Sequence, residues 1–105
     1  MNTAIQITTT TATEAEAKSI ANTLTEQKLA ACVQIDGPIK SVYHWKGKVQ
    51  EDTEWRLQIK TLETLFDKIE TCITDIHSYE TPEIIGTHLP HISKSYLNWL
   101  VSETT

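Results

Sequence analysis

The densest chemistry in this 105-residue chain runs from His77 to Ile85, where His77, Ser78, Tyr79, Glu80, Thr81, Pro82 and Glu83 follow without a break. An imidazole and a carboxylate three positions apart, beside a proline that stiffens the backbone, can supply two ligands to a first-row transition metal. Two ligands do not hold an ion tightly, so the rest must come from elsewhere in the fold, from another subunit or from water. Cys32 is the natural third donor, because the short apolar run Leu-Ala-Ala-Cys-Val around it reads as a central strand. Thiolate with imidazole suits copper or zinc better than magnesium or calcium. The expected metal set is therefore Cys32, His77 and Glu80. A structural reading stands beside each of the softer donors: a lone cysteine in an apolar run is commonly a small core residue, and a histidine at the end of a helix can satisfy terminal carbonyls.

Other reactive groups carry less. His88 and His91 flank Pro90 and form a second, exposed histidine pair, which binds metal weakly without further ligands. Cys72 sits beside Ile73 on an expected helix and reads as a packing residue. Enzymatic catalysis is not expected. A nucleophile needs a base within hydrogen-bond reach and a third group to orient that base, and the sequence shows no nucleophile elbow. The three glycines are scattered, so there is no phosphate-cradling loop.

The elements that must position these groups follow from periodicity. Ile5 and Ile7 alternate with polar residues and lead into four threonines, a strand. Thr13 with Glu16 fits a capping box, and Ala17, Ile20, Ala21 and Leu24 then fall on one helical face. Two long extended arms follow, broken by Gly37-Pro38, which suggests a bulge. Ile39, Ser41, Tyr43 and Trp45 share a face of the outgoing arm. On the return arm Val49, Glu51, Thr53, Trp55, Leu57 and Ile59 share one face, with Gln50, Asp52, Glu54, Arg56 and Gln58 on the other. Gly47 supplies a positive φ at the tip. Leu62, Leu65, Phe66, Ile69, Ile73 and Ile76 predict a second helix of about four turns. Glu83 to Leu89 reads as a fourth strand, and Ser93 or Ser95 caps a short last helix. The result is one α+β domain over residues 1–105, in the ferredoxin-like βαββαβ order with a C-terminal helix.

The long hairpin argues against a monomer. An extended arm from Ala31 to Trp45 spans roughly 50 Å at ~3.3 Å per residue, against a diameter of about 35 Å for a domain of this size. An overhanging ribbon carrying Tyr43, Trp45 and Trp55 is poorly stable alone. Docking each hairpin on the next subunit of a closed ring removes the fault; a bent monomeric hairpin is the alternative. Composition narrows the partners further. A net charge of −5, with nine scattered Lys and Arg, argues against nucleic acid. No apolar stretch approaches the ~20 residues of a membrane span. The N-terminus lacks the features of a signal peptide, and two cysteines without CxxC spacing suit a cytoplasmic protein with reduced thiols.

Taken together, Cys32, Tyr43, Trp45, Gly47, Lys48, Lys60, Thr61, His77, Tyr79, Glu80, Pro82, Glu83 and Ile84 match motif positions of the CutA divalent-cation-tolerance family, which this chain resembles over nearly its whole length. The chain departs from that pattern at Ser78, where the family usually has proline. The resemblance implies a homotrimer like that of the PII signalling proteins, with Tyr43, Trp45, Lys60, Tyr79 and Glu83 lining a cleft between subunits. It implies a role in the response to metal ions, with copper or another divalent ion such as zinc bound. The alternative it leaves open is a PII-like signalling or scaffolding trimer. There the cleft would take a small anionic metabolite, neutralised by Lys60 and Lys48, or a partner protein.

Overall fold

A computed structural model describes residues 2–105. The alternating apolar residues form β1 (Ala4–Thr11), β2 (Cys32–Trp45), β3 (Lys48–Leu62) and β4 (Ile85–His88), and the helical periodicity forms α1 (Glu14–Glu26), α2 (Phe66–Ile76) and α3 (Lys94–Glu103). The four strands make one sheet in the order β2-β3-β1-β4, antiparallel throughout. Two split βαβ units, β1-α1-β2 and β3-α2-β4, thus interleave as the element order requires.

One face of the sheet is apolar and covered. Ile5, Ile7, Leu57 and Ile59 point at Ala17, Ile20, Leu24, Ile69 and Ile73 of α1 and α2, and all nine are buried. Ala4 and Leu62 alternate with these residues and so lie on the other face, where they join Leu100 of α3 in a smaller cluster. The rest of that second face is open and polar. Its rungs are side-chain hydrogen bonds: Gln6 to Gln58, Lys60 Nζ to Gln34 at 2.7 Å, and Arg56 to Asp36 at 2.7 and 3.2 Å.

The hairpin carries the feature that matters most for the site. Asp36 pairs with Arg56, but the next pair is Ile39 with Glu54, so β2 spends one more residue than β3. This bulge reverses the parity of the arm. Beyond it, odd-numbered Ile39, Ser41, Tyr43 and Trp45 share the open face with even-numbered Asp52 and Glu54. Glycine is required at position 37 by close approach, since a Cβ there would lie 2.7 Å from Trp55 Cδ1. At the tip, Lys46 (φ 52°) and Gly47 (φ 78°) form a two-residue turn between the paired Trp45 and Lys48. The arms overhang rather than bend. The molecule measures 44 × 26 × 22 Å, and Val42, Tyr43, Trp45 and Val49 stand exposed on the hairpin.

Two boundaries differ from the sequence reading. Leu62 ends β3 opposite Ala4, and a 3-10 turn at Glu63–Leu65 follows. The second helix therefore begins at Phe66 and runs 11 residues, three turns instead of four. The fourth strand is confined to Ile85–His88, since only these residues pair with β1.

Candidate functional site

Where the hairpin leaves the body of the sheet it opens a cleft of about 620 Å³. Its floor is Thr10 of β1 with Tyr43, Trp45, Asp52 and Glu54 of the hairpin, and its wall is the loop after α2, which contributes Tyr79, Glu80 and Glu83. Asp52 and Glu54 stand on successive same-face positions of β3 because a strand repeats every two residues. Each takes a phenol: Tyr79 Oη donates to Glu54 Oε2 at 2.7 Å, and Tyr43 Oη donates to Asp52. Glu54 is only 7% exposed. Burial, and then the Glu54 carboxylate, push the Tyr79 phenol well above its ordinary range. The hydrogen bond to Asp52 is the main cause of a rise at Tyr43. Both phenols are therefore protonated donors at neutral pH. Four carboxylates line the cleft, and no lysine, arginine or histidine does so among the described residues.

The loop is fixed by His77, whose side chain is fully buried. The Tyr79 backbone N–H donates to His77 Nδ1 at 3.0 Å, leaving Nε2 to carry the proton that it donates to the Thr10 carbonyl at 2.8 Å. Both ring nitrogens are thus spent on backbone groups. Cys32 lies elsewhere, opposite Lys60 on β3, whereas Thr10 is opposite Arg56. Four residues along a strand is ~13 Å, so the thiol and the imidazole do not meet. Among the described residues no three His, Cys, Asp or Glu side chains gather as a metal site. A single chain does not bring the expected set of Cys32, His77 and Glu80 together.

The other expected residues divide cleanly. Tyr43, Trp45, Tyr79 and Glu83 line the cleft, and Glu80 of the expected metal set joins them. Lys60 does not, because its ammonium is held on the open sheet face by Gln34. Cys32 faces α3, where burial, followed by the Cys32 thiol, raises the Tyr96 phenol. His88 lies 3.3 Å from Glu63, and both are exposed. Cys72 packs against the main core, and burial raises its thiol. The sequence reading missed Asp52 and Glu54 as site residues. Their signal was present in the two-residue alternation of β3, which sets both acids on the face of Tyr43 once the bulge is counted.

The CutA1 divalent ion tolerance protein family matches residues 5–103 of this chain. A chloroplastic CutA protein of Arabidopsis thaliana is 42% identical over 87 residues, 83% of this chain and 48% of that relative. The divalent-cation tolerance protein CutA of Thermus thermophilus is 38% identical over 95 residues, 90% of this chain and 92% of that protein. The chain thus spans about half the length of the plant relative and nearly all of the bacterial one. Crystalline CutA1 from Oryza sativa superposes with a TM-score of 0.95 at 38% identity, covering 98% of this chain and 94% of that one.

Proposed function

Because this chain belongs to the CutA1 divalent ion tolerance family, we propose that it acts in divalent-cation tolerance by binding the cation itself, copper or a similar heavy-metal ion, in the hairpin cleft of a homotrimer. The acidic lining carries this reading. Asp52, Glu54, Glu80 and Glu83 face one volume without a lining cation. Like charges in such a cleft repel one another and an incoming anion, and a cation relieves both. An anionic metabolite is therefore the less favoured occupant, since neither Lys60 nor Lys48 lines the cleft. The donors are carboxylate oxygens rather than thiolate and imidazole. At a given oxygen or nitrogen site divalent affinity rises along the first row to Cu²⁺ and falls at Zn²⁺, so copper remains the expected ion.

One chain supplies carboxylates around the cleft, but among the described residues no three of them gather into a metal site. Water or a neighbouring subunit must complete the coordination shell, and the overhanging hairpin with its exposed Tyr43 and Trp45 supports the trimer. No helix of the described residues is long and apolar enough to cross a membrane. The free thiols of Cys32 and Cys72 suit a reducing compartment such as the cytoplasm. In this reading the protein binds and does not catalyse.

Calorimetric titration of Cu²⁺ into metal-free protein tests the site. Glu80 and Glu83 are exposed, so the double variant Glu80→Gln with Glu83→Gln keeps the fold and should weaken Cu²⁺ at least ~10-fold, the effect of about 1.4 kcal/mol. Unchanged affinity overturns the cleft as the site. A mass by light scattering near 11.9 kDa, one chain, overturns the trimer.

A further inference from the structure

The first turn of α1 packs on the covered side of the sheet, yet a continuous set of contacts links it to the cleft on the open side. Thr13 and Glu16 form only half of the expected capping box: Thr13 Oγ1 accepts the Glu16 backbone N–H at 3.1 Å. The Glu16 carboxylate turns away to the loop after α2. Its Oε2 accepts the Ser78 backbone N–H at 2.7 Å, and its Oε1 accepts the Ser78 hydroxyl at 3.0 Å. This carboxylate is only 17% exposed, although Ser78 itself is at the surface.

The contacts then pass along the chain. His77 is locked between Thr10 and the Tyr79 N–H, and its ring stands 4.8 Å from the Tyr79 ring. Tyr79 reaches over the hairpin to Glu54. Between His77 and Ile84 there is no helix or strand to hold the backbone, so side-chain anchors fix it. A proline at position 78 would offer neither a backbone N–H nor a hydroxyl, which makes the anchor a property of serine here.

We propose that Glu16 is a positioning residue for the cleft: through Ser78 it holds the loop at 77–83 so that Tyr79 meets Glu54 and the Glu80 and Glu83 carboxylates face the hairpin. The cleft wall is thereby tied to α1, and a change confined to the helix surface alters a site on the opposite face of the sheet. This deepens the proposed function and rests on it only for what the cleft binds, not for the positioning itself.

Hydrogen exchange read by NMR on the metal-free protein tests the tie. In Glu16→Ala the Ser78 and Tyr79 amides should exchange ~10-fold faster or more, the loss expected for a hydrogen bond to a charged group. The core amides of Ile7 and Ile59 should stay as they were. Ser78→Ala, which removes only the hydroxyl, should move the same two amides by a smaller factor and leaves the helix untouched. The spectrophotometric ionisation of Tyr79 should fall toward its ordinary value in Glu16→Ala, since the freed phenol loses its burial and its contact with Glu54. Glu14→Gln removes a charge from the same helical turn without a hydrogen bond or ion pair to the loop, and should leave both amides alone.

Exchange of Ser78 and Tyr79 within about twofold of the unaltered protein in both Glu16→Ala and Ser78→Ala overturns the proposal. Equal acceleration by Glu14→Gln also overturns it, because the effect would then belong to the helix end. The copper titration reads separately. Unaltered protein that ignores Cu²⁺ while Glu16→Ala frees the loop refutes the metal reading and upholds the positioning role.

Discussion

Replacing Tyr79 by phenylalanine deletes one oxygen and leaves the Glu54 carboxylate, 7% exposed, without its side-chain donor. A hydrogen bond to a charged group contributes roughly 1.5–3 kcal/mol. Tyr79 is only partly buried, so water can replace some of the loss, and the lower end, about 1.5 kcal/mol at neutral pH, is expected. Urea denaturation at fixed protomer concentration measures it. With a slope of about 1–3 kcal/mol/M the midpoint should fall by roughly 0.5–1.5 M. The pH dependence checks the cause. Burial and Glu54 raise the folded phenol above its ordinary 10.0. The stabilisation is thus fully present below pH 10.0, and it is lost as pH rises from there through the folded value. The unfolded chain ionises first, and the native advantage declines by up to ~1.4 kcal/mol per pH unit. Phenylalanine has nothing to titrate, and the other two tyrosines cancel between the proteins. The stability difference between the unaltered protein and Tyr79→Phe should therefore shrink above pH 10.0. A difference of zero at neutral pH, or one that stays constant through that range, refutes the reasoning.

Thr9→Val should stabilise the protein by about 1 kcal/mol in the same assay, because the Thr9 hydroxyl is buried without a hydrogen-bond partner and valine keeps its shape; a loss of that size would show that the hydroxyl is bonded. Gly37→Ala should cost roughly 1–3 kcal/mol and shift the tryptophan emission, since the new methyl meets the Trp55 ring at 2.7 Å. Unchanged stability would mean that the hairpin adjusts freely at its bulge.

Patterns that depend on nearest neighbours were legible in the sequence. The cap at Thr13, the apolar face of α1, a serine cap on α3 (Ser93, of the two serines offered) and the Gly47 tip all rest on contacts within a few residues, and all are present. Length alone required the hairpin either to bend or to overhang. What failed depends on distant partners. Leu62 looked helical by spacing, but its pairing with Ala4 keeps it in the sheet. His77 and Glu80 are close in sequence, yet the imidazole turns inward to Thr10, far along the chain, and Glu80 outward to the cleft. Cys32 was expected in a short central strand, but β2 runs 14 residues and lies at the edge of the sheet, and sequence spacing carries no information about which end of the sheet faces the loop. The acids of the cleft were hidden differently. Asp52 and Glu54 were assigned to the right face of their own strand, but whether Tyr43 shares that face depends on counting the bulge across two strands.

That single inserted residue decides the chemistry of the cleft. Were the ladder continued from the Asp36–Arg56 pair with no bulge, Pro38 would fall opposite Glu54 and Lys40 opposite Asp52, and Tyr43 and Trp45 would turn to the opposite face. Tyr43 would then be lost from Asp52 by the change of face. In the observed register each phenol supplies a neutral hydrogen bond to a carboxylate, which keeps the acid in place without cancelling its charge. A lysine in the same position would have neutralised the site. Oriented carboxylates with no lysine, arginine or histidine in the lining repel one another, and a positive ligand removes that repulsion while an anion adds to it. The cation proposed for the cleft thus rests on which residues the bulge brings together, before any detail of coordination is considered.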